Sequence, residues 1–141
     1  MNTPAPRLLL ALAFVLCTSA VSAQDIKVVY HVNSGVETAA AMLNNISNHL
    51  AADPSARIVV VTHGPGIDFM LENAKDSKGR EFSGQVSALA ARRVRFEVCN
   101  NTLVSRQLSA SNLLMEAKVV PSGVAEVARL QAREGYVYLK P

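Results

Sequence analysis

The sequence predicts an α/β sandwich built on a mostly parallel sheet of five strands. Runs rich in β-branched residues alternate with helical patterns along the chain, which is the order of elements that a parallel sheet with crossover helices requires. One run, Ile58-Val59-Val60-Val61-Thr62, is apolar without alternation, as expected of a strand buried on both faces. Of the 141 residues, those from 24 to 141, set apart from the leader described below, are enough for one compact domain with a core of its own.

Residues 26–32 read as the first strand. Residues 35–52 follow as a helix whose apolar stripe is Ala39, Met42, Leu43, Ile46 and Leu50. Asp53-Pro54-Ser55 breaks that helix, and residues 58–62 make the second strand. His63-Gly64-Pro65-Gly66 reads as a tight turn, residues 67–74 as a short helix and 75–79 as a solvated loop. A second amphipathic helix over 82–92 carries Val86, Leu89 and Ala90. The third strand, 94–99, ends at Cys99, and a helix runs from about Thr102. Residues 118–121 form a fourth strand. A helix then starts at Ser122-Gly123 and stops at Gly135, and residues 136–139 close the chain as the fifth strand.

The first residues are read apart from the fold. Arg7 precedes an apolar stretch over 8–16 that is too short to span a bilayer comfortably, and small residues end at Val21-Ser22-Ala23. This is the layout of a signal peptide over 1–23, cleaved between Ala23 and Gln24, for a protein that is periplasmic or secreted. A lipoprotein anchor on Cys17 is the competing reading, and the bulky Leu16 before it counts against that processing. No later apolar run reaches membrane-spanning length, so no membrane association is expected after cleavage. The net charge of +3 comes without a basic block and with only 5% aromatic residues, so no nucleic-acid surface is expected. Arg92, Arg93 and Arg95 are read as covering a helix end.

Removing the leader leaves Cys99 as the single cysteine, which excludes an intramolecular disulfide and singles out one thiol. Val94, Phe96 and Val98 share one face of its strand, while Arg95, Glu97 and Cys99 share the other. The thiol is therefore expected on the charged face. At a strand end facing a helix start, unpaired amides favour thiolate. The alternative is a small buried thiol without chemistry.

Ligands of parallel sheets bind beyond the carboxyl ends of the strands. Those ends place His31 with Asn33 and Ser34, His63 with Gly64 and Gly66, Cys99 with Asn100 and Asn101, and Pro121 with Ser122 and Gly123 on one rim. These are the candidate binding residues around a candidate catalytic Cys99. An amide of Asn100 or Asn101 can hydrogen-bond the sulfur, and His31 or His63 can assist proton transfer. The glycines after His63 serve either a close ligand approach or the turn alone. His49, near a helix end, suits the dipole and is given no catalytic role. A metal bound by His31, His63 and Cys99 would draw ligands from three strands with no paired spacing, so no metal is expected. No G-x-S-x-G elbow appears, and Gly64-Pro65-Gly66 is neither a dinucleotide fingerprint nor a P-loop, so no cofactor is expected.

Several segments together resemble the DsrE/DsrF-like family. They are Lys27-Val28-Val29-Tyr30-His31-Val32-Asn33, Val59-Val60-Val61-Thr62-His63-Gly64-Pro65-Gly66, Phe96-Glu97-Val98-Cys99-Asn100-Asn101-Thr102 and Val120-Pro121-Ser122-Gly123-Val124-Ala125-Glu126, with the terminal Glu134 to Pro141. The likeness runs in order through residues 24–141. It implies a three-layer α/β/α sandwich with a five-stranded, largely parallel sheet, and a homo-oligomer, trimeric or hexameric. It also implies sulfur trafficking by persulfide transfer between protein cysteines, with Cys99 in the carrier position. His63 and its glycines resemble a motif of the family's exported branch, and no role transfers to them.

The expectation is thus an exported, sulfurtransferase-like sulfur carrier that exchanges sulfane sulfur with donor and acceptor proteins through Cys99. The alternative is a non-catalytic oligomeric module that binds a small ligand or a protein and keeps a structural cysteine.

Overall fold

In the computed structural model the described residues are 25–141. The expected leader over 1–23 and the Cys17 alternative lie outside them. The elements are β1 (Lys27–Val32), α1 (Val36–Ala52), β2 (Arg57–Thr62), a 3-10 segment (Gly64–Met70), α2 (Ser83–Ala91), β3 (Arg95–Cys99), α3 (Asn100–Ser105), a 3-10 turn (Ala110–Asn112), β4 (Ala117–Val120), α4 (Gly123–Glu134) and β5 (Val137–Leu139). Three local expectations are corrected. The stretch read as a turn and a helix over 67–74 is one 3-10 segment that begins at Gly64, where Pro65 at its start supplies a fixed φ and needs no amide partner. The helix after Cys99 begins at Asn100, two residues earlier than the pattern suggested. The fourth strand is Ala117–Val120 and leaves Pro121, which has no amide to donate, outside the ladder.

The five strands are ordered β4-β3-β2-β1-β5, and every neighbouring pair is parallel. Their register aligns His31, Val61, Glu97 and Lys118 in one row across the sheet. The chain adds β2, β3 and β4 in one direction, then crosses back over the whole sheet to lay β5 beside β1. Right-handed crossovers oblige connections running in opposite directions to pass over opposite faces. Accordingly α1, α2 and the longer 3-10 segment cover one face, and α4 crosses the other against β1, β2, β3 and β5.

The first face holds the larger core. Val28, Tyr30, Val60, Phe96 and Val98 pack there against the expected α1 stripe of Ala39, Met42, Leu43, Ile46 and Leu50, and against Ile67, Phe69, Val86 and Leu89. Phe69 meets Phe82 and Phe96 edge-on. On the second face Val29, Val59 and Val61 meet only Val127 and Leu130 of α4, with Tyr136 beyond its end. Three layers result, one of them a single helix thick.

Two details of the fold depend on glycine. A Cβ on Gly66 would stand 2.3 Å from the Val32 carbonyl oxygen, so the 3-10 segment can lie on the end of β1 only without a side chain there. Of the two readings of these glycines, this contact is with the protein's own backbone. At the other end of the fold, α4 is closed by Gly135 at φ 72°, the left-handed position that glycine fills without a Cβ clash. Among the described residues no helix is long and apolar enough to cross a membrane.

Candidate functional site

The helix after β3 packs on one face and the helix after β4 on the other. Adjacent strands whose connections diverge in this way leave a crevice between their carboxyl ends. Cys99 is the last residue of β3 and stands in that crevice as the N-cap of α3. Gly123, the first residue of α4, faces it from the other side. A Cβ on Gly123 would meet the Cys99 Cβ at 3.2 Å, the His63 Cβ at 3.3 Å and the Thr62 carbonyl oxygen at 3.4 Å. The absence of a side chain is what lets the α4 amide reach the sulfur.

The strand face of Cys99 is not the solvated, charged surface that Arg95 and Glu97 suggested. Glu97 is fully buried and Cys99 is 5% exposed, because α4 roofs both. Burial pushes the Cys99 thiol up. Opposing it, the nearby backbone amides of Gly123, Thr102 and Asn101 and the Thr102 hydroxyl favour the thiolate, and together they hold it below the ordinary thiol value. Thr102 is itself oriented: its Oγ1 accepts the Gly64 amide at 2.9 Å, which leaves the hydroxyl proton for Cys99.

The sulfur borders an open cavity of about 310 Å³, lined also by His63, Asn101, Thr102, Ser122 and Val124. A larger opening of about 480 Å³ lies at the opposite end of the sheet among Arg57, Arg92, Arg93 and Arg95, with Asp25 as its carboxylate. That opening has hydroxyls from Ser55 and Tyr136 but no thiol, and the smaller cavity is the one that Cys99 lines. Of these arginines only Arg92 and Arg93 stand at a helix end: Arg92 is the C-cap of α2, and Arg93 at φ 69° donates its amide to Ala90 while that of Val94 reaches back to Leu89, whereas Arg57 and Arg95 begin β2 and β3.

The two rim histidines meet. His63 Nε2 and His31 Nε2 are 2.8 Å apart with their rings stacked at 4.9 Å, and His31 Nδ1 lies 2.8 Å from the Tyr138 hydroxyl on β5. Burial, then the neighbouring His63 and Lys140, lower the His31 pKa. The fold thus gathers Cys99, His63 and Asn101 at the cavity, brings Gly64 in through Thr102, and sets His31 one hydrogen bond behind. Asn33 and Asn100 do not line the cavity. The contribution of Asn101 to the sulfur is its backbone amide, an outcome of helix geometry that side-chain chemistry does not reveal. His49 is occupied with the Tyr30 hydroxyl at 2.9 Å. Among the described residues no group of three or more His, Cys, Asp or Glu side chains is placed to hold a metal.

Thr102 and Tyr138 are not among the residues that the sequence singles out. A threonine three positions after a strand-end cysteine, in the first turn of a helix, is the local signal for the first. Tyr138 comes from a distant segment and carries none, whereas Gly123 is placed on the rim by the fourth strand end and only its closeness to Cys99 is new.

Below the site, Glu97 is flanked by Arg95 at 3.9 Å and Lys118 at 3.5 Å. Burial, then the charge of Glu126 on α4, raise the Glu97 pKa, against the pull of Arg95 and Lys118. Its Oε2 is buried with no hydrogen-bond partner when ionised. A proton on that oxygen would let it donate toward the Glu126 carboxylate of α4.

Residues 4–141 match the DsrE/DsrF-like family. Among solved structures, the protein of unknown function MTH1491 from Methanobacterium thermoautotrophicum is 34% identical, with a TM-score of 0.75 over 83% of this chain and 100% of that one. The ychN protein from E. coli has a TM-score of 0.66 over 84% of this chain and 100% of its own. At 16% identity it speaks for the fold alone. No curated protein matches the chain.

Proposed function

The chain belongs to the DsrE/DsrF-like family, which is associated with sulfur relay, and we propose that it carries sulfane sulfur as a persulfide on Cys99. The observation that supports this most is that the starts of α3 and α4 meet at Cys99, at the edge of an open cavity. Thiolate is the attacking form of cysteine. In the loading step the Cys99 thiolate attacks the outer sulfur of a donor persulfide R–S–SH. A Cys99–sulfur bond forms, the donor S–S bond breaks, and the donor leaves as R–S⁻ with the electron pair. Release repeats the exchange with an acceptor thiol, and no net oxidation occurs. The same amides that stabilise the attacking thiolate stabilise it again as the leaving group.

In the same proposal the carrier is exported and works as a homo-oligomer, its partners being thiol proteins that donate and accept sulfur. Export is supported by Arg7, the apolar stretch after it and the small residues ending at Ala23.

Incubation of the purified protein with polysulfide is expected to add one sulfur atom to the intact mass, reversibly with a small thiol. Cys99→Ser should abolish the addition while leaving the unfolding midpoint within about 1 kcal/mol of wild type. An unmodified wild type, or the same addition on the Ser variant, overturns the assignment and leaves the structural-cysteine alternative.

A further inference from the structure

Tyr138, His31 and His63 make an unbroken chain of hydrogen bonds from the edge strand β5 to the Cys99 cavity, with both links at 2.8 Å. Its outer end, Tyr138, is 37% exposed. At its inner end the His63 ring lines the cavity, with Nε2 committed to His31 and no partner assigned to Nδ1 among the described residues. Two neutral imidazoles that meet through Nε2 share one proton, so their tautomers are locked in series. In one state Tyr138 donates to His31 Nδ1, His31 Nε2–H donates to His63, and His63 carries its remaining proton on Nδ1. In the other state every link is reversed, and His63 presents a bare Nδ1 lone pair to the cavity. Passing from the second state to the first takes up a proton at the cavity and releases one from the Tyr138 hydroxyl to solvent.

We propose that this chain is a proton relay for the Cys99 cavity, in which His63 Nδ1 takes the proton of the incoming acceptor thiol. The proposal rests on the sulfur-carrier reading of Cys99. As R–SH gives its proton to His63, its sulfur attacks the outer sulfur of Cys99–S–SH and the Cys99–S bond breaks. The products are R–S–SH, the Cys99 thiolate and one proton delivered to solvent along the chain. His63 is then the catalytic base, and His31 and Tyr138 are positioning residues. The charged groups on the same face are Lys140 beside β5, the Cys99 sulfur, and the Glu97, Glu126 and Lys118 group on the far side of Val61. Burial, the neighbouring His63 and Lys140 all disfavour a charged His31, which keeps that ring in the neutral form both tautomeric states need.

The test uses the full domain, loaded with sulfur from polysulfide and mixed with a small monothiol in single turnover. Tyr138→Phe removes one oxygen and keeps the ring beside His31, and His31→Gln serves as the second variant. Both are expected to load Cys99 as wild type does. Both should slow the hand-off on the order of tenfold near pH 6.5, where the incoming thiol is protonated. The difference should vanish above about pH 9, where that thiol arrives ionised. Nitrogen NMR of the unloaded protein should show the His31 Nδ1 signal moving in Tyr138→Phe. Slowing that is equal at all pH values, wild-type hand-off in both variants, or an unmoved His31 Nδ1 signal in Tyr138→Phe overturns the relay while the carrier reading stands. Failure of wild-type Cys99 to load sulfur removes the carrier reading itself, and the relay with it.

Discussion

The two faces of the sheet are built from the same strands and differ in what covers them. One carries α1, α2, the short α3 and a 3-10 segment over a nearly continuous hydrocarbon layer. The other carries α4 alone, and there Glu97, His31, His63 and Cys99 share the surface with three valines. Strand alternation decides which residues go to which face, but the depth of cover decides what those residues can be. A single helix leaves polar groups close enough to the rim to meet solvent, substrate or each other. Stability therefore belongs mainly to the first face and chemistry to the second.

Paired truncations give that division its hardest trial. Phe69→Ala removes a fully buried ring wedged between Phe82 and Phe96 and should cost about 3–5 kcal/mol, read as a fall in the urea midpoint. Leu130→Ala, equally buried under α4, should cost about 2–3 kcal/mol, because a layer one helix thick can settle onto the void. If the order of the two is reversed, the thin face is the stabilising one.

A smaller effect sharpens the link between α4 and the thiol. Gly123→Ala inserts a methyl against the Cβ atoms of Cys99 and His63. Overpacking there should cost about 1–3 kcal/mol and push the α4 amide away from the sulfur. Alkylation of Cys99 at neutral pH should then slow several-fold as its pKa rises toward the free value. Unchanged alkylation with lost stability would mean that the Gly123 amide does not matter to the sulfur.

The smallest effect concerns Glu97. Its pKa is raised above the usual 4.5 by burial and by Glu126, so the folded state prefers the neutral acid. Stability from such a group is complete below the ordinary carboxylate pKa and is lost as pH rises through the folded value. Glu97→Gln keeps the neutral form at every pH. The Tm of the variant relative to wild type should therefore climb as pH rises from about 4.5 upward. A relative Tm that falls with pH would show Glu97 held as a carboxylate by Arg95 and Lys118.

Much of this was legible in the chain. The α1 stripe from Ala39 to Leu50 is an i, i+3, i+4 pattern, and it is buried as read. Residues 58–62 are apolar on both faces because both faces are covered. The position of Cys99 between a strand and a helix was equally plain. The charge of its face misled, since Arg95 and Glu97 look alike in a strand pattern. Arg95 lies at the exposed start of β3, whereas Glu97 sits under a helix that arrives from nearly thirty residues further on. The alternation assigns a face without saying whether anything covers it.

Sequence by itself determined the strands, the helices, their alternation and hence a parallel sheet, because each depends on residues within a few positions of one another. It also determined that one thiol would stand at a strand end. Only tertiary structure decided that the chain doubles back after β4, which brings the start of α4 onto Cys99 and sets β5 beside β1, so that Tyr138 reaches His31 across 107 positions. Strand order arises from competition among distant segments for neighbours, and no local pattern records its outcome.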